Sequence, residues 1–130
     1  MTDLKSSMDV SMGGLLAQAG RLSNVAQNIA NADTPGYKRK LTSFTQTMEA
    51  NDAPSVVALA PTRRDSSQGQ LIYDPEHPLA GSDGTYEGSN VSLLVEIADA
   101  REAQRTYEAN LRSFDNARQM SRSLLELLRR

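Results

Sequence analysis

From Val91 to Leu128 the chain contains neither glycine nor proline. Within that stretch Leu93, Ile97, Ala100, Gln104, Tyr107, Leu111 and Phe114 recur at alternating steps of four and three residues. That 3.5-residue repeat is the seam of a coiled coil. At 1.5 Å per residue, such a helix is about 55–60 Å long. After Phe114 the stripe passes through Ala117, Met120 or Ser121, Leu124 and Leu128, which predicts a local break in the heptad. Asn90 stands where an N-cap is expected.

The other end of the chain carries the same spacing. Met8, Met12, Leu15, Ala19, Leu22, Ala26 and Ile29 alternate steps of four and three, and Leu16 and Val25 widen the stripe. Residues 1 to about 7 are polar and aperiodic and are expected to fray. Gly13, Gly14 and Gly20 each weaken the helix by about 1 kcal/mol relative to alanine. They also let another helix approach closely. The two seams hold modest side chains, several of them alanine. Both helices are therefore expected to be unstable alone and to order on packing against other chains.

Between the first helix and the rest lies Asn24-Val-Ala-Gln-Asn-Ile-Ala-Asn-Ala-Asp-Thr-Pro-Gly-Tyr-Lys-Arg-Lys40. Asparagine competes with the backbone inside helices but suits their ends, so Asn31 is the expected stop. Pro35 presets φ and Gly36 accepts positive φ, so Thr34-Pro35-Gly36-Tyr37 reads as a type II turn. Pro35 also forces Thr34 out of the helical region. Asn28 and Asn31 are most simply helix-end residues; the alternative is that their amides bond across a subunit interface. After Tyr37 the residues Leu41, Phe44 and Met48 fit an extended segment or a helical turn. Lys38, Arg39 and Lys40 read as a solvated or salt-bridging edge, since the whole chain carries a net charge of −2.

Residues 49–90 change character, with four of the five prolines and most turn-forming residues. Val56–Leu59 and Leu71–Tyr73 read as short strands, Pro61 to Gln70 as a polar loop, and 74–78 and 81–84 as turns. Strands this short and few do not make an independent sheet. The expected fold is mainly α: long N- and C-terminal helices packed as a coiled-coil-like hairpin, with an irregular middle containing short β-strands. It divides into residues 1–40 (helix and hinge), 41–89 (middle) and 90–130 (C-terminal helix), as one structural unit.

Several function classes find no support. There is no cysteine, so no disulfide or thiol chemistry. His77 is the single histidine, and Asp74, Glu76 and His77 crowd into one turn with poor geometry for a metal. No nucleophile–base–orienter pattern and no phosphate loop occurs. The expectation is no enzyme, no cofactor and no nucleic acid. No apolar run approaches a bilayer span, and no cleaved secretory signal is expected.

The residues also carry a resemblance. Asn28-Ile-Ala-Asn31-Ala-Asp-Thr34-Pro-Gly-Tyr37-Lys-Arg39 resembles the N-terminal signature of the bacterial flagellar rod and hook protein family. Leu71-Ile-Tyr73-Asp-Pro75-Glu-His77-Pro78-Leu-Ala80, then Gly84-Thr-Tyr86 and Asn90-Val91, is similar to the middle of that family's short C-type proximal rod subunits. Ala103-Gln-Arg105-Thr-Tyr107-Glu-Ala109-Asn110-Leu111 is similar to the family's C-terminal helix motif. For residues 41–69 the resemblance carries nothing over.

The resemblance implies a structural subunit of the flagellar basal body, assembling helically into the hollow rod that crosses the periplasm as a drive shaft. It implies export through the flagellar type III apparatus without a cleaved signal. The implied partners are copies of itself, the B-type proximal subunit, the F- and G-type rod proteins, and the hook–basal body adaptor protein at the rod base. Leu15, Leu22, Ile29, Leu111, Phe114, Leu124 and Leu128 would form the buried seam. Asn28, Asn31, Thr34, Pro35, Gly36 and Tyr37 would fix the reversal and contacts between subunits, with Tyr107 and Asn110 facing that region. The competing class is a soluble helical-hairpin adaptor or flagellar export chaperone, which would need neither the hinge nor the proline-rich middle.

Overall fold

A computed structural model describes residues 2–47 and 55–129. Helix α1 spans Thr2–Ala30 and helix α2 spans Leu93–Leu128. Between them lie β1 (Lys40–Leu41), β2 (Phe44–Thr47), β3 (Val56–Leu59), β4 (Arg63–Arg64), β5 (Leu71–Tyr73) and β6 (Thr85–Glu87). The strands pair antiparallel, β1 with β4, β2 with β3 and β5 with β6, as three separate two-stranded ribbons. The helical hairpin and the short strands of the middle match the expected architecture.

Several details differ from the sequence reading. Helix α1 starts at Thr2, so residues before Met8 continue the helix. The stretch after Tyr37 is extended, as β1 and β2, and Met48 lies outside the described residues. The loop from Pro61 to Gln70 contains β4, and Thr85–Glu87 is a strand that the turn-rich sequence conceals. Asn90 is not the N-cap of α2: Ser92 holds that position without a side-chain cap bond.

The helix pair is antiparallel: Asn28 meets Glu96, Arg21 meets Asp99, and Gly14 abuts Asn110. Its seam is rotated from the expected one. In α1 the buried residues are Ser11, Ala17, Gln18, Asn24, Val25 and Asn28. Leu15 and Leu22 are half-buried at the margin, whereas Met12, Ala19, Ala26 and Ile29 face outward. In α2 the inward row runs through Glu96, Ala100, Ala103, Tyr107, Asn110, Phe114, Ala117 and Ser121. This row keeps its four-three spacing, so the break expected after Phe114 is absent. Ala100, Tyr107, Phe114, Ala117 and Ser121 belong to both the expected and the observed seam. Glu96, Ala103 and Asn110 complete the observed row, while Leu93, Ile97, Gln104, Leu111, Leu124 and Leu128 are exposed. Hydropathy favoured Ile97 and Leu111. The fold instead buries Glu96 among charged and amide partners and seats Asn110 beside Gly14, because a bonded polar group can occupy a seam position.

Fully buried apolar side chains are only Ala17, Val25, Ala103 and Ala117 among the described residues. β3 lies across α1, and glycines make room for it. A Cβ at Gly13 would stand 2.1 Å from Val56 Cγ1, and one at Gly20 would stand 2.7 Å from Leu59 Cδ2. At Gly14 it would stand 2.7 Å from the Asn110 amide. One glycine thus admits the second helix, and two admit a strand.

Candidate assembly site at the chain reversal

The three asparagines before the turn do three different jobs. Asn24 is buried and its amide nitrogen donates to Thr42 Oγ1 at 3.1 Å and Thr62 Oγ1 at 3.4 Å, tying α1 to the β1–β4 ribbon. Asn28, 1% exposed, uses its whole amide. Its Nδ2 donates to Lys40 O at 3.0 Å and Glu96 Oε2 at 3.1 Å, and its Oδ1 accepts from Tyr37 Oη at 3.1 Å and Lys40 N at 2.8 Å. Asn31 ends α1: its backbone N–H and its Nδ2 both donate to Gln27 O, and its Oδ1 accepts from Thr34 Oγ1.

Tyr37 N–H donates to Thr34 O at 3.1 Å and Gly36 has φ +71°, so Thr34–Tyr37 forms the expected turn with Gly36 in its left-handed position. Pro35 is half-buried and Gly36 is exposed. The Gly36 N–H donates to Glu87 O at 3.0 Å, which docks the reversal on β6.

The basic triplet is consumed inside the chain. Lys38 Nζ lies 2.6 Å from Glu87 Oε1 and also donates to Ser67 O. Arg39 pairs with Glu96, and Lys40 Nζ bonds Gln27 Oε1. Glu87 also accepts from Gly69 N–H, and the Lys38 bond is the larger cause holding its carboxyl below the ordinary range. Asn90 closes the same junction: its Oδ1 accepts from Arg39 N–H at 2.6 Å, and its Nδ2 donates to Asp65 O and Ser67 O. Glu96 has no exposed surface, and Arg39 and Asn28 satisfy its two oxygens.

Glu96 therefore faces the hinge, where Tyr107 and Asn110 were expected. Asn110 abuts Gly14, some three to four turns back along α1. Tyr107 is half-buried on the seam, 11 residues beyond Glu96 and so about 16 Å from it along the helix. Glu96, Arg39 and Asn90 escaped the sequence reading as site residues. One signal was present: extending the Asn110–Ala103 spacing back by seven residues lands on Glu96. Arg21 had another, being the single charge between Asp9 and Asp33. It pairs with Asp99 and reaches Glu102 at 3.5 Å.

His77 is a structural residue. Its ring stacks on Tyr86 with centroids 3.9 Å apart, and its Nδ1 accepts from Leu79 N–H. Among the described residues no cluster of three metal-ligating side chains occurs, and no helix is long and apolar enough to cross a membrane.

The sequence is similar to those of known proteins. Residues 8–38 match the family described as flagella basal body rod protein, and residues 82–127 match the family described as flagellar basal body rod FlgEFG protein C-terminal. The flagellar basal-body rod protein FlgC of Agrobacterium fabrum is 35% identical, over 99% of this chain and 98% of that protein. FlgC of Aquifex aeolicus is 33% identical over 88% of this chain and 89% of its own length, and FlgC of Salmonella typhimurium is 28% identical over 95% and 97%. The adaptor and chaperone reading is not favoured by these relatives. The N-terminal match covers the asparagine helix and its turn, and the C-terminal match covers β6 and nearly all of α2, so the two sides of the junction each carry a rod-family segment. The chain belongs to the FlgC family of flagellar basal-body rod proteins and is a structural subunit of the rod.

Proposed function

We propose that this subunit polymerises helically, with copies of itself and with other rod proteins, through surfaces that the single chain leaves uncovered. The supporting observation is the outward face of α1. Between Asp9 and Asp33 its one charge, Arg21, is turned inward onto Asp99. What faces out includes Met12 at 50% and Leu16 at 69% exposure, with Ala19, Ala26 and Ile29. A solvated helix face normally carries charge, as α2 does with Arg101, Arg105, Arg112, Arg118 and Arg122. A charge-free stripe, apolar apart from Ser23 and Gln27, beside a core made mostly of alanines is the profile of a surface that a neighbour covers.

On this reading Leu15, Leu22, Ile29, Leu111 and Phe114 complete their burial only against adjoining subunits. Asn31, Thr34, Pro35, Gly36 and Tyr37 shape the reversal that a neighbour meets, and Asn28 holds it from beneath. The neighbours are the B-type proximal subunit, the F- and G-type rod proteins, and the adaptor at the rod base. The subunit reaches the periplasm-spanning rod through the type III export apparatus, without a cleaved signal, and its role is mechanical, without catalysis.

The test is Leu16→Asp, expected to leave the purified chain as soluble as before while removing it from isolated basal bodies and stopping motility. Normal incorporation and swimming would sink the proposal. Amide exchange supplies a second check. Helix amides that exchange fast in the free chain and slowly in basal bodies are expected; equal protection in both would contradict ordering on assembly.

A further inference from the structure

The hinge end is satisfied inside but carries unmatched charge on its rim. Arg21, Lys38 and Arg39 each have a carboxylate of their own. Lys40 bonds only the neutral amide of Gln27, and exposed Arg64 forms no ion pair among the described residues. These two cations stand directly opposite each other across the β1–β4 ribbon. Like charges so placed destabilise a strand pair unless an acid joins them. The opposite imbalance lies further along the chain. Between Arg64 and Arg101 there is no lysine or arginine. Asp33 at the reversal is exposed and likewise forms no ion pair among the described residues.

An open cavity of about 340 Å³ lies where the reversal, the β5–β6 ribbon and the start of α2 meet. Its walls include Ile72, Tyr86, Val91 and Leu93, and Asp33 and Gln70 supply its polar groups. Apolar walls with a carboxylate suit an arginine, whose stem lies along apolar surface while its planar head bonds the acid. Arginines seated in pockets are common anchors of protein interfaces. We propose that this cavity receives Arg64 of a second copy of the chain, whose guanidinium meets Asp33, so that the acid also offsets the Arg64–Lys40 repulsion. This rests on the reading that the subunit polymerises, and it names one contact of that assembly. Both features flank the reversal: β1 follows it directly, and β6 is docked on it through Gly36. The contact therefore joins neighbours side by side at the hinge end. Cavity and arginine are different patches of one surface, so each copy gives an arginine to one neighbour and takes one from another. Such a contact extends into a ring or helix and does not stop at a dimer.

The test uses full-length chains in cells lacking their own copy, read as the amount of chain in isolated basal bodies. Asp33→Arg and Arg64→Asp should each lower recovery by about tenfold or more, because like charges then meet. Expressed together, the two chains should restore recovery, with both present in the basal bodies, since each supplies the group that the other lacks. An ion pair within one chain, or with a different rod protein, gains nothing from such mixing, so failure of the mixture would overturn the inference. Normal recovery of either chain by itself would do the same. Neutral variants guard against a chain that merely misfolds. Asp33→Asn and Arg64→Gln should each lower recovery by about two- to fivefold, and the two in one chain should lower it no further. Losses that multiply would overturn the contact. Asp33→Arg entering basal bodies normally, where Leu16→Asp is shut out, would remove this contact alone and leave the assembly reading in place.

Discussion

The two ends of the helical hairpin are built on opposite principles. At the hinge end, Asn24, Asn28, Arg39, Asn90 and Glu96 are held by hydrogen bonds to one another, to the hydroxyls of Thr42 and Thr62 and to backbone groups, and little apolar area is involved. At the free end, Leu4, Met120 and Leu124 border an open apolar groove, and Leu127 and Leu128 stand exposed at 67% and 76%. Directional bonds make the hinge end complete within one chain. Apolar side chains without a cover leave the free end incomplete, and burial against another chain is the remedy available to it. The molecule thus combines a self-sufficient knuckle with two arms that have unfinished surfaces.

That contrast can be broken hardest at Glu96. Glu96→Ala strands Arg39 and one donor of Asn28, and removing one partner of a buried pair costs about 3–5 kcal/mol. Urea unfolding should show a loss of that size, whereas Glu96→Gln, which keeps the Asn28 contact, should lose less. Equal losses would place the importance in shape instead of charge. Leu124→Asp is the matching change at the free end. It should alter the free chain's stability by under about 0.5 kcal/mol, as exposed substitutions do, while reducing recovery in basal bodies.

Gly13→Ala tests the seat of β3. Its new methyl would meet Val56 and also the Val57 carbonyl at 3.0 Å, so overpacking of about 1–3 kcal/mol should outweigh the gain in helix propensity. Gly20→Ala meets only the tip of Leu59, which can turn aside, so its net effect should be near zero in the same assay. The smallest effect concerns acid. Glu87 titrates below its ordinary value because Lys38 and the Gly69 N–H bond its charged form. Its contribution is complete above the unfolded carboxylate range and is lost as pH falls through its lowered pKa. Amide protection factors around β5 and β6, taken relative to the intrinsic exchange rate at each pH, should therefore fall in acid, and Lys38→Met should shrink that acid dependence.

Local chemistry already contained the helices, the turn and the division into arms and middle. A glycine- and proline-free stretch with 3.5-residue spacing has few alternatives to a long helix, and Pro35-Gly36 after Asn31 has few alternatives to a stop and a turn. Val56–Leu59 and Leu71–Tyr73 were legible as strands from composition. Their partners were not: Thr85–Glu87 is a strand only by virtue of the chain that lies beside it, and Phe44–Thr47, the partner of Val56–Leu59, fitted an extended segment or a helical turn equally well until it was paired. The candidate site was half legible: the asparagines and the turn stood out, but Glu96, Arg39 and Asn90 did not.

What the sequence determined by itself was that two helices would pair; which faces they would turn to each other was decided only by the tertiary structure. Hydropathy ranks Ile97 above Glu96 and Leu111 above Asn110 for a seam, since it counts each side chain's transfer from water alone. Once folded, Glu96 finds Arg39 and Asn28, and Asn110 lies against Gly14, so apart from Tyr107 and Phe114 the α2 side of the seam is polar and small, while Leu93, Ile97 and Leu111 turn outward. The cost of burying a charge depends on partners that lie 57 and 68 residues away in the chain, and only the folded chain brings them together.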